Sequence, residues 1–279
     1  MKQVLSIQDL SCVGRCSLTV ALPVLSAMGC QCSVLPTAVL SSHTGFPAPS
    51  VIPMTAHIQG FFDHWKRIGA FFDTVTTGYL SDPGQVDAVL PLLRHYRSQG
   101  STIIADPAMG DHGKLYSRMT GEHVQAMKAL CRNADILLPN VTEAALLTGL
   151  PYREETDEAY LQTLSLALLE LGCKAVMITG VSGKDGTIGF FGMHRDTGCF
   201  SYSAQAIPRQ FHGTGDLFAA VFAGSLTAGK SLPDSGILAA DFVRRCVAAT
   251  ETVTPYGVEF EAQLPWLCAQ NAGTLTRKG

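Results

Sequence analysis

The sequence predicts an α/β fold with a mostly parallel central sheet and helices on both faces. Short β-rich runs alternate with longer helical patterns along all 279 residues, and such alternation requires crossover connections. Apolar residues make up 47% of the chain and charged residues 15%, which supplies a large buried core. The sequence has no internal repeat, low-complexity tract or linker. We therefore predict a single domain over residues 1–279.

The elements follow from the spacing of the apolar residues and from the residues that break the pattern. Pro36 weakens the second strand, and Gly69 is predicted to end the helix around residues 61–72. Strands are predicted at 4–7, 33–40, 74–79, 102–105, 136–138 and 175–179, with a hairpin from 187–191 and 199–203. The other helices are predicted at 17–28, 85–98, 215–228 and 235–252.

The charge and the cysteines exclude several classes of protein. Twenty Lys and Arg against twenty-three Asp and Glu give a net charge of −3, which argues against nucleic-acid binding because a phosphate backbone requires concentrated positive charge. No apolar stretch approaches the ~20 residues of a membrane span, and no signal-peptide core precedes Asp9. Nine cysteines without a Cys-x-x-Cys pair indicate a reducing compartment. We expect a cytoplasmic protein that acts on small molecules.

Polar residues follow the predicted strands. In mostly parallel sheets ligands bind outside the carboxyl ends of the strands, so these positions are candidate site residues. They are Asp9, Thr44, Tyr79, Asp106 with Asp111, Asn140 with Glu143, and Thr179.

The strongest motif is Gly213-Thr214-Gly215-Asp216 at the start of a predicted helix. Two glycines there let the backbone approach a ligand, and the free N–H groups favour an anion. Asp216 could accept the proton of a substrate hydroxyl during phosphoryl transfer. The alternative is that Asp216 only stabilises the helix N-terminus.

Two further segments place carboxylates at strand ends, where Mg²⁺ shared with phosphates would bind. Asp106 and Asp111 share a glycine-bearing loop, and Asn140 precedes Glu143 by one turn at the start of a helix. For Asn140 and Glu143 the alternative is a helix-capping box.

Residues 224–231, Gly-Ser-Leu-Thr-Ala-Gly-Lys-Ser, match the P-loop pattern. A P-loop must follow a strand and open a helix, whereas this match follows a helical run. We interpret it as a helix C-terminus capped by Gly229. The glycines of residues 180–186 are explained equally well by a hairpin turn and by a phosphate loop.

With these segments in order, the sequence resembles the ribokinase superfamily and, within it, the pyridoxal and pyridoxamine kinases of vitamin B6 salvage. The resemblance spans nearly the whole chain and implies a ribokinase-like fold with a small strand flap. It rests on Ser41-Ser42-His43-Thr44, Thr77-Gly78-Tyr79-Leu80, Asp106-Pro107-Ala108-Met109-Gly110-Asp111, Asn140-x-x-Glu143 and Gly213-Thr214-Gly215-Asp216.

The resemblance implies roles for single residues. Asp216 matches the catalytic base beside the substrate, and Gly213, Thr214 and Gly215 match the anion hole. Positions implied near ATP and Mg²⁺ are Asp106, Asp111, Asn140, Glu143 and Thr179, with Asp111 and Glu143 holding the metal partly through water. Positions implied near the pyridine ring are Asp9, Thr44 and Tyr79.

Asp9 departs from the family pattern, because many relatives carry Ser there. A carboxylate beside the ring favours a cationic substrate, so we expect pyridoxamine or pyridoxine to be preferred over pyridoxal. The alternative is that Asp9 points to solvent or caps the following segment.

The resemblance thus implies ATP-dependent phosphorylation of the 5-hydroxymethyl group of a B6 vitamer. The cofactors are ATP and Mg²⁺, with a monovalent cation such as K⁺ as a further candidate. A homodimer without nucleic-acid or membrane partners is expected. Alternatives are a hydroxymethylpyrimidine kinase of thiamine synthesis and a vitamer-binding protein without turnover.

Overall fold

The computed structural model describes residues 1–275, in which strands and helices alternate as the sequence predicts. In chain order the elements are β1 (Gln3–Ser11), α1 (Leu18–Ala27), β2 (Gln31–Leu40), β3 (Val51–Pro53), α2 (Thr55–Arg67), β4 (Thr74–Thr77), α3 (Pro83–Ser98), β5 (Thr102–Ala105), β6 (Gly110–Asp111), β7 (Lys114–Leu115), α4 (Gly121–Cys131), β8 (Ile136–Leu137), α5 (Val141–Thr148), α6 (Glu158–Leu169), β9 (Ala175–Ser182), β10 (Thr187–His194), β11 (Gly198–Gln205), α7 (Thr214–Thr227), α8 (Leu232–Ala249) and α9 (Leu264–Leu275).

The first of two compact units comprises Met1–Met54, Phe71–Thr74 and the chain from Ile207 onward. Strand β1 pairs in parallel with β2, and β2 pairs antiparallel with β3. Helix α7 packs against α1 and α8. Apolar side chains of α7 such as Leu217 and Phe222 are fully buried, so the start of α7 is held in place by its packing.

The second unit comprises Thr55–Ala70 and Val75–Ala206. Its strands lie in the order β4-β5-β8-β9-β10-β11. Strands β5, β8 and β9 are parallel, while β9, β10 and β11 form the predicted antiparallel hairpin and its neighbour. Helices α2 to α6 pack each against the next. Strands β6 and β7 form a separate two-stranded sheet, as expected for the flap.

The predicted fold class, a mostly parallel sheet with helices and a small flap, is confirmed. The prediction of one domain over residues 1–279 stays a prediction.

Two predicted strands are longer than expected, and this corrects the placement of two candidate residues. The sequence placed Asp9 just after a strand and Thr179 at the end of one, but β1 continues to Ser11 and β9 continues to Ser182. Strand β1 extends because Ser11 still pairs with Leu40 of β2. The predicted strands ended too early because polar side chains interrupt the apolar pattern, while the backbone pairing continues beyond them.

Strand β2 tolerates Pro36 because the pairing is irregular next to it. Gln8 pairs with Pro36, but the register shifts before Leu10 pairs with Val39. Proline lacks an N–H and is found in sheets at edges and bulges. Asp9 lies at this irregularity, and bulges re-aim side chains near active sites.

The P-loop match is structurally a helix end, as predicted. Helix α7 ends at Thr227, Gly229 has a positive φ of 97°, and Ser231 caps the N-terminus of α8. A left-handed glycine after a helix is the usual C-terminal stop. Gly183 and Gly186 lie at the turn between β9 and β10, as a hairpin turn requires, and Gly180 lies within β9. A phosphate loop at this turn stays the alternative.

Candidate active site

The Gly-Thr-Gly-Asp motif forms the N-terminus of α7. Gly213 is the N-cap and has a φ of 86°. A Cβ atom at this position would overlap the carbonyl oxygen of Arg15, so glycine is required by both the backbone conformation and the close approach. Thr214, Gly215 and Asp216 form the first turn, where backbone N–H groups have no partner inside the helix. This helix start is suited to an anion.

Asp216 lies in that first turn and is partly exposed, and the pKa of its carboxyl is shifted. Burial raises the pKa of Asp216 to about 7, the nearby Asp9 carboxylate raises it too, and a hydrogen bond from the backbone N–H of Ser17 lowers it. Gly213 is the N-cap and Asp216 is the acidic residue of the first turn. Asp216 therefore does not cap α7, but stabilisation of the helix N-terminus through the dipole stays the alternative to a catalytic role. A carboxyl that titrates near neutral pH is suited to general-base chemistry.

Asp9 is buried rather than open to solvent, with 4% of its surface exposed. Oδ1 of Asp9 accepts a hydrogen bond from the Ser17 hydroxyl at 2.5 Å, and Oδ2 accepts one from the Ser11 hydroxyl at 2.8 Å. Burial raises the pKa of Asp9, and the two hydroxyls partly lower it. The alternative that Asp9 points to solvent is therefore wrong. Its contact with a pyridine ring stays a prediction.

His43 of the Ser-Ser-His-Thr motif is buried and fixes the turn that carries Thr44. The backbone N–H of Gly45 donates to Nδ1 of His43 at 3.0 Å, so the ring proton is on Nε2, which donates to the carbonyl of Pro255 at 2.6 Å. The ring of His212 lies 4.9 Å from that of His43, and burial with this neighbour lowers the pKa of His212. Thr44 itself is exposed at the turn.

In the second unit, Asn140 and Glu143 form a capping box at the start of α5. The Asn140 side chain accepts from the backbone N–H of Glu143 at 2.9 Å, and Glu143 accepts from that of Asn140 at 2.9 Å. The capping box that the sequence analysis gave as the alternative for Asn140 and Glu143 is therefore present in the structure. The side-chain amide of Asn140 also donates to the carbonyl of Gly110 at 2.8 Å, which ties the cap to the β6–β7 flap.

Glu143 is 3% exposed, and both of its oxygens bind backbone N–H groups. Oε1 accepts from Met109 at 3.0 Å and Oε2 from Asn140. Burial, the largest cause, raises the pKa of Glu143, and these N–H groups lower it. Glu143 thus holds the start of the flap, and its role toward a metal ion, partly through water, stays a prediction.

Asp111 fits Mg²⁺ better. Its side chain is 56% exposed, and Oδ1 accepts from the backbone N–H of His112 at 2.8 Å. Mg²⁺ is usually held by one or two carboxylates together with substrate phosphates and waters. Among residues 1–275, no group of three His, Cys, Asp or Glu side chains could hold a metal by itself. An ion bound here would therefore depend on phosphate oxygens, as the resemblance implies.

The remaining candidates lie along the strand ends of the second unit. Asp106 follows β5 directly, and its backbone N–H donates to the carbonyl of Thr77. Tyr79 follows β4. Thr179 forms a parallel bridge with Asn140. The structure thus brings Asn140, Glu143 and Thr179 together.

Ser17 and the segment around Pro255 are not among the site residues that the sequence predicts. Ser17 has a positive φ of 53°, a conformation that favours glycine. No sequence pattern predicts this conformation for a serine. The role of Pro255 depends on a hydrogen bond to a residue 212 positions away. In the described part of the chain, no helix is long and apolar enough to cross a membrane.

Known proteins match most of this chain. The family described as phosphomethylpyrimidine kinase matches residues 25–258. A pyridoxal kinase from Arabidopsis thaliana is 30% identical over 233 residues, 80% of this chain and 73% of the relative. The crystal structure of a Lactobacillus plantarum pyridoxal kinase is 33% identical, with a TM-score of 0.88, and covers 98% of this chain and 99% of that one. A Bacteroides thetaiotaomicron structure with pyridoxal, provisionally assigned to the phosphomethylpyrimidine kinases, is 34% identical with a TM-score of 0.91 and 95% coverage of both chains.

Proposed function

The chain belongs to the phosphomethylpyrimidine kinase family, and we propose that it is an ATP-dependent kinase of the 5-hydroxymethyl group of a B6 vitamer. Pyridoxal, pyridoxamine and pyridoxine are the candidate substrates. The observation that carries the proposal is the start of α7, where backbone N–H groups suited to a phosphoryl group stand beside Asp216, whose pKa is raised to about 7. A base and an anion site within one helical turn are what phosphoryl transfer to an alcohol requires.

In the proposed reaction, Asp216 accepts the proton of the hydroxymethyl group while its oxygen attacks the γ-phosphorus of ATP. The bond between that phosphorus and the β–γ bridging oxygen breaks, and ADP leaves with the bond's electron pair. The N–H groups at Gly213, Thr214 and Gly215 would stabilise charge on the transferred phosphoryl group. Most of the acceleration would come from positioning and charge stabilisation.

The residues proposed to bind the nucleotide and the metal belong to the second unit. Asp111 is the residue best suited to hold Mg²⁺ directly, and Mg²⁺ would neutralise charge on the phosphates. Asn140, Glu143 and Thr179 would form the strand-end platform for the nucleotide, with Asp106 in the adjoining loop. A monovalent cation such as K⁺ is a further candidate cofactor without a residue assigned to it.

The hydroxymethylpyrimidine kinase alternative uses the same chemistry on another ring. The family description covers that activity. The relatives from Arabidopsis and Lactobacillus are both called pyridoxal kinase, and the Bacteroides crystal holds pyridoxal. These three favour a B6 vitamer for this chain. A vitamer-binding protein without turnover would not need a carboxyl with a raised pKa, such as that of Asp216, beside an anion site.

The proposal includes a homodimer acting in the cytoplasm. Nine unpaired cysteines are compatible with a reducing compartment. Sedimentation of the purified protein would give the oligomeric state.

The decisive experiment is a kinase assay with Mg-ATP and each of the three vitamers, with hydroxymethylpyrimidine as a fourth acceptor. We expect a B6 vitamer to be phosphorylated with the highest kcat/KM. Preference for hydroxymethylpyrimidine would favour the alternative kinase. Binding without turnover on any acceptor, with the fold intact, would refute kinase activity.

A further inference from the structure

A series of hydrogen bonds through Ser17 links Asp9 of the buried strand β1 to the proposed base Asp216. The hydroxyls of Ser11 and Ser17 both donate to Asp9, and the backbone N–H of Ser17 is hydrogen-bonded to the Asp216 carboxylate. Ser17 therefore contacts one carboxylate through its side chain and the other through its backbone. These contacts all lie within the first unit.

Ser17 is held in an unfavourable backbone conformation. Its φ of 53° and ψ of −126° lie outside the regions that residues other than glycine adopt readily. Such strain is unfavourable and persists only where surrounding contacts impose it. Ser17 is also the N-cap of α1, yet its hydroxyl does not cap that helix, because it donates to Asp9 instead.

Two contacts impose this conformation. The Ser17 hydroxyl is anchored by Asp9 at 2.5 Å, and the Ser17 carbonyl accepts the first backbone bonds of α1, from Val20 at 3.0 Å and Ala21 at 2.9 Å. With both sides of the residue fixed, its N–H points at Asp216. A freely rotating Ser17 would return to an ordinary conformation and turn that N–H away.

Asp9 has no carboxylate oxygen without a partner, because each one accepts a serine hydroxyl. Asp9 lies at the register shift between β1 and β2. These contacts describe a residue that holds its neighbours in place rather than one that presents a free charge.

We propose that Asp9 is a positioning residue of the phosphoryl-transfer site, which acts through Ser17 to aim a backbone N–H at the base Asp216. The inference rests on the proposed function. This role requires no contact between Asp9 and the substrate. Asp9 also keeps a second negative charge near Asp216, and like charge favours the protonated form of the Asp216 carboxyl.

The other titratable groups near this chain are Cys16, which lies near both carboxylates, and His43, which lies near Asp9. Burial and both carboxylates keep the thiol of Cys16 protonated, because they raise its pKa. Both ring nitrogens of His43 are occupied by hydrogen bonds, Nδ1 with Gly45 and Nε2 with Pro255. Asp9 is therefore the partner of Asp216 whose removal should change the titration of the base.

The test uses three variants and one control. Asp9→Ala and Ser17→Ala both remove the anchor of Ser17, while Asp9→Asn keeps an oxygen for Ser17 and removes the charge. Ser6→Ala is the matched control, because Ser6 is a buried serine of β1 whose hydroxyl accepts a hydrogen bond from the side-chain amide of Gln8 at 3.0 Å. All four are compared with the wild type in thermal unfolding, kcat, KM and pH profile.

We expect Asp9→Ala and Ser17→Ala to lower kcat by about 10- to 100-fold, the loss caused by misplacing a catalytic group by about 1 Å. KM for the vitamer should stay within about threefold, because an interaction that acts in the transition state changes kcat and not ground-state binding. Asp9→Asn should keep most of kcat and move the acidic limb of the pH profile to lower pH. The ratio of kcat/KM for pyridoxamine over pyridoxal should not change in any variant.

A carbon-13 NMR titration of labelled aspartate carboxyls, assigned with Asp216→Asn, gives a readout apart from turnover. The midpoint of Asp216 should fall in Asp9→Asn, which holds even if no vitamer proves to be a substrate. Wild-type protein without turnover would therefore refute the proposed function alone. An unmoved Asp216 midpoint, or a vitamer ratio changed by Asp9→Asn with kcat intact, would overturn the positioning role.

Discussion

Replacing Asp216 by Asn tests the proposed base most directly. The change keeps the size and polarity of the side chain and removes its ability to accept a proton. Losing one general base costs about 10²–10⁴ in rate, so we expect kcat to fall by that factor. ATP affinity should stay nearly intact, since the backbone N–H groups of the α7 N-terminus do not depend on this side chain.

The pKa of Asp216 adds a second, opposite effect on stability. Its ordinary value of 3.8 is raised to about 7, so the folded state binds this proton more tightly than the unfolded state does. Stability is then present below pH 4 and is lost as the pH rises toward 7. Three units correspond to about 4 kcal/mol. Because Asp216 is partly exposed, we discount this to about 1–2 kcal/mol at neutral pH.

Asp216→Asn should therefore raise the melting temperature by a few degrees at pH 8 and change it little at pH 4. In the wild type, kcat should fall as the pH drops below about 7, because the protonated carboxyl cannot accept the hydroxyl proton. The assays are steady-state kinetics with Mg-ATP, a nucleotide-binding titration and thermal unfolding at both pH values. Near-normal turnover in Asp216→Asn would refute the assignment, because Asn matches Asp at a helix N-terminus.

Three other variants test the surroundings. Lys230→Ala should leave ATP affinity and turnover within about threefold, because a lysine near the end of a helix contributes roughly 0.3–1 kcal/mol through the dipole; lost activity with an intact circular dichroism spectrum would overturn our rejection of the P-loop. Glu143→Gln should weaken the use of Mg-ATP, and added Mg²⁺ should restore part of it; an unchanged Mg²⁺ dependence would leave Glu143 with its capping role alone. Gly213→Ala should lose more stability and activity than Gly229→Ala. Both positions have a positive φ, but an added Cβ would overlap the carbonyl of Arg15 at Gly213 and would meet nothing within 4 Å at Gly229. Equal losses would show that backbone strain alone, without the overlap, explains the requirement for glycine at Gly213.

Much of the fold could be predicted because local and global signals agree. The buried strand at Thr102–Ala105 has the predicted bounds, and α3 begins where Asp82 caps a helix with Pro83 in its first turn. The P-loop match could be rejected for the same reason, since its letters fit a phosphate loop but its place in the chain is a helix end. Agreement between levels makes a sequence pattern reliable.

The candidate site was less predictable, because its key features depend on contacts distant in sequence. Asp9 reads as a strand-end charge, yet pairing of β1 with β2 extends the strand past it. Asn140 and Glu143 suit both a capping box and a metal motif, and the local bonds show the first without testing the second. The strained φ of Ser17 has no sequence signature.

The neighbourhood of Asp9 and Asp216 explains why a weak base in solution could become an effective one here. A carboxylate with an ordinary pKa of 3.8 is a poor acceptor for a hydroxyl proton at neutral pH, since base strength falls with pKa. Burial and a second carboxylate raise that value, while the N–H of Ser17 limits the rise. Without the N–H the base would be more fully protonated at neutral pH, and without Asp9 it would be a weaker base. If Asp216 is the base, as proposed, the strain at Ser17 and the burial of Asp9 are the stability cost of a carboxyl whose pKa is raised to about 7.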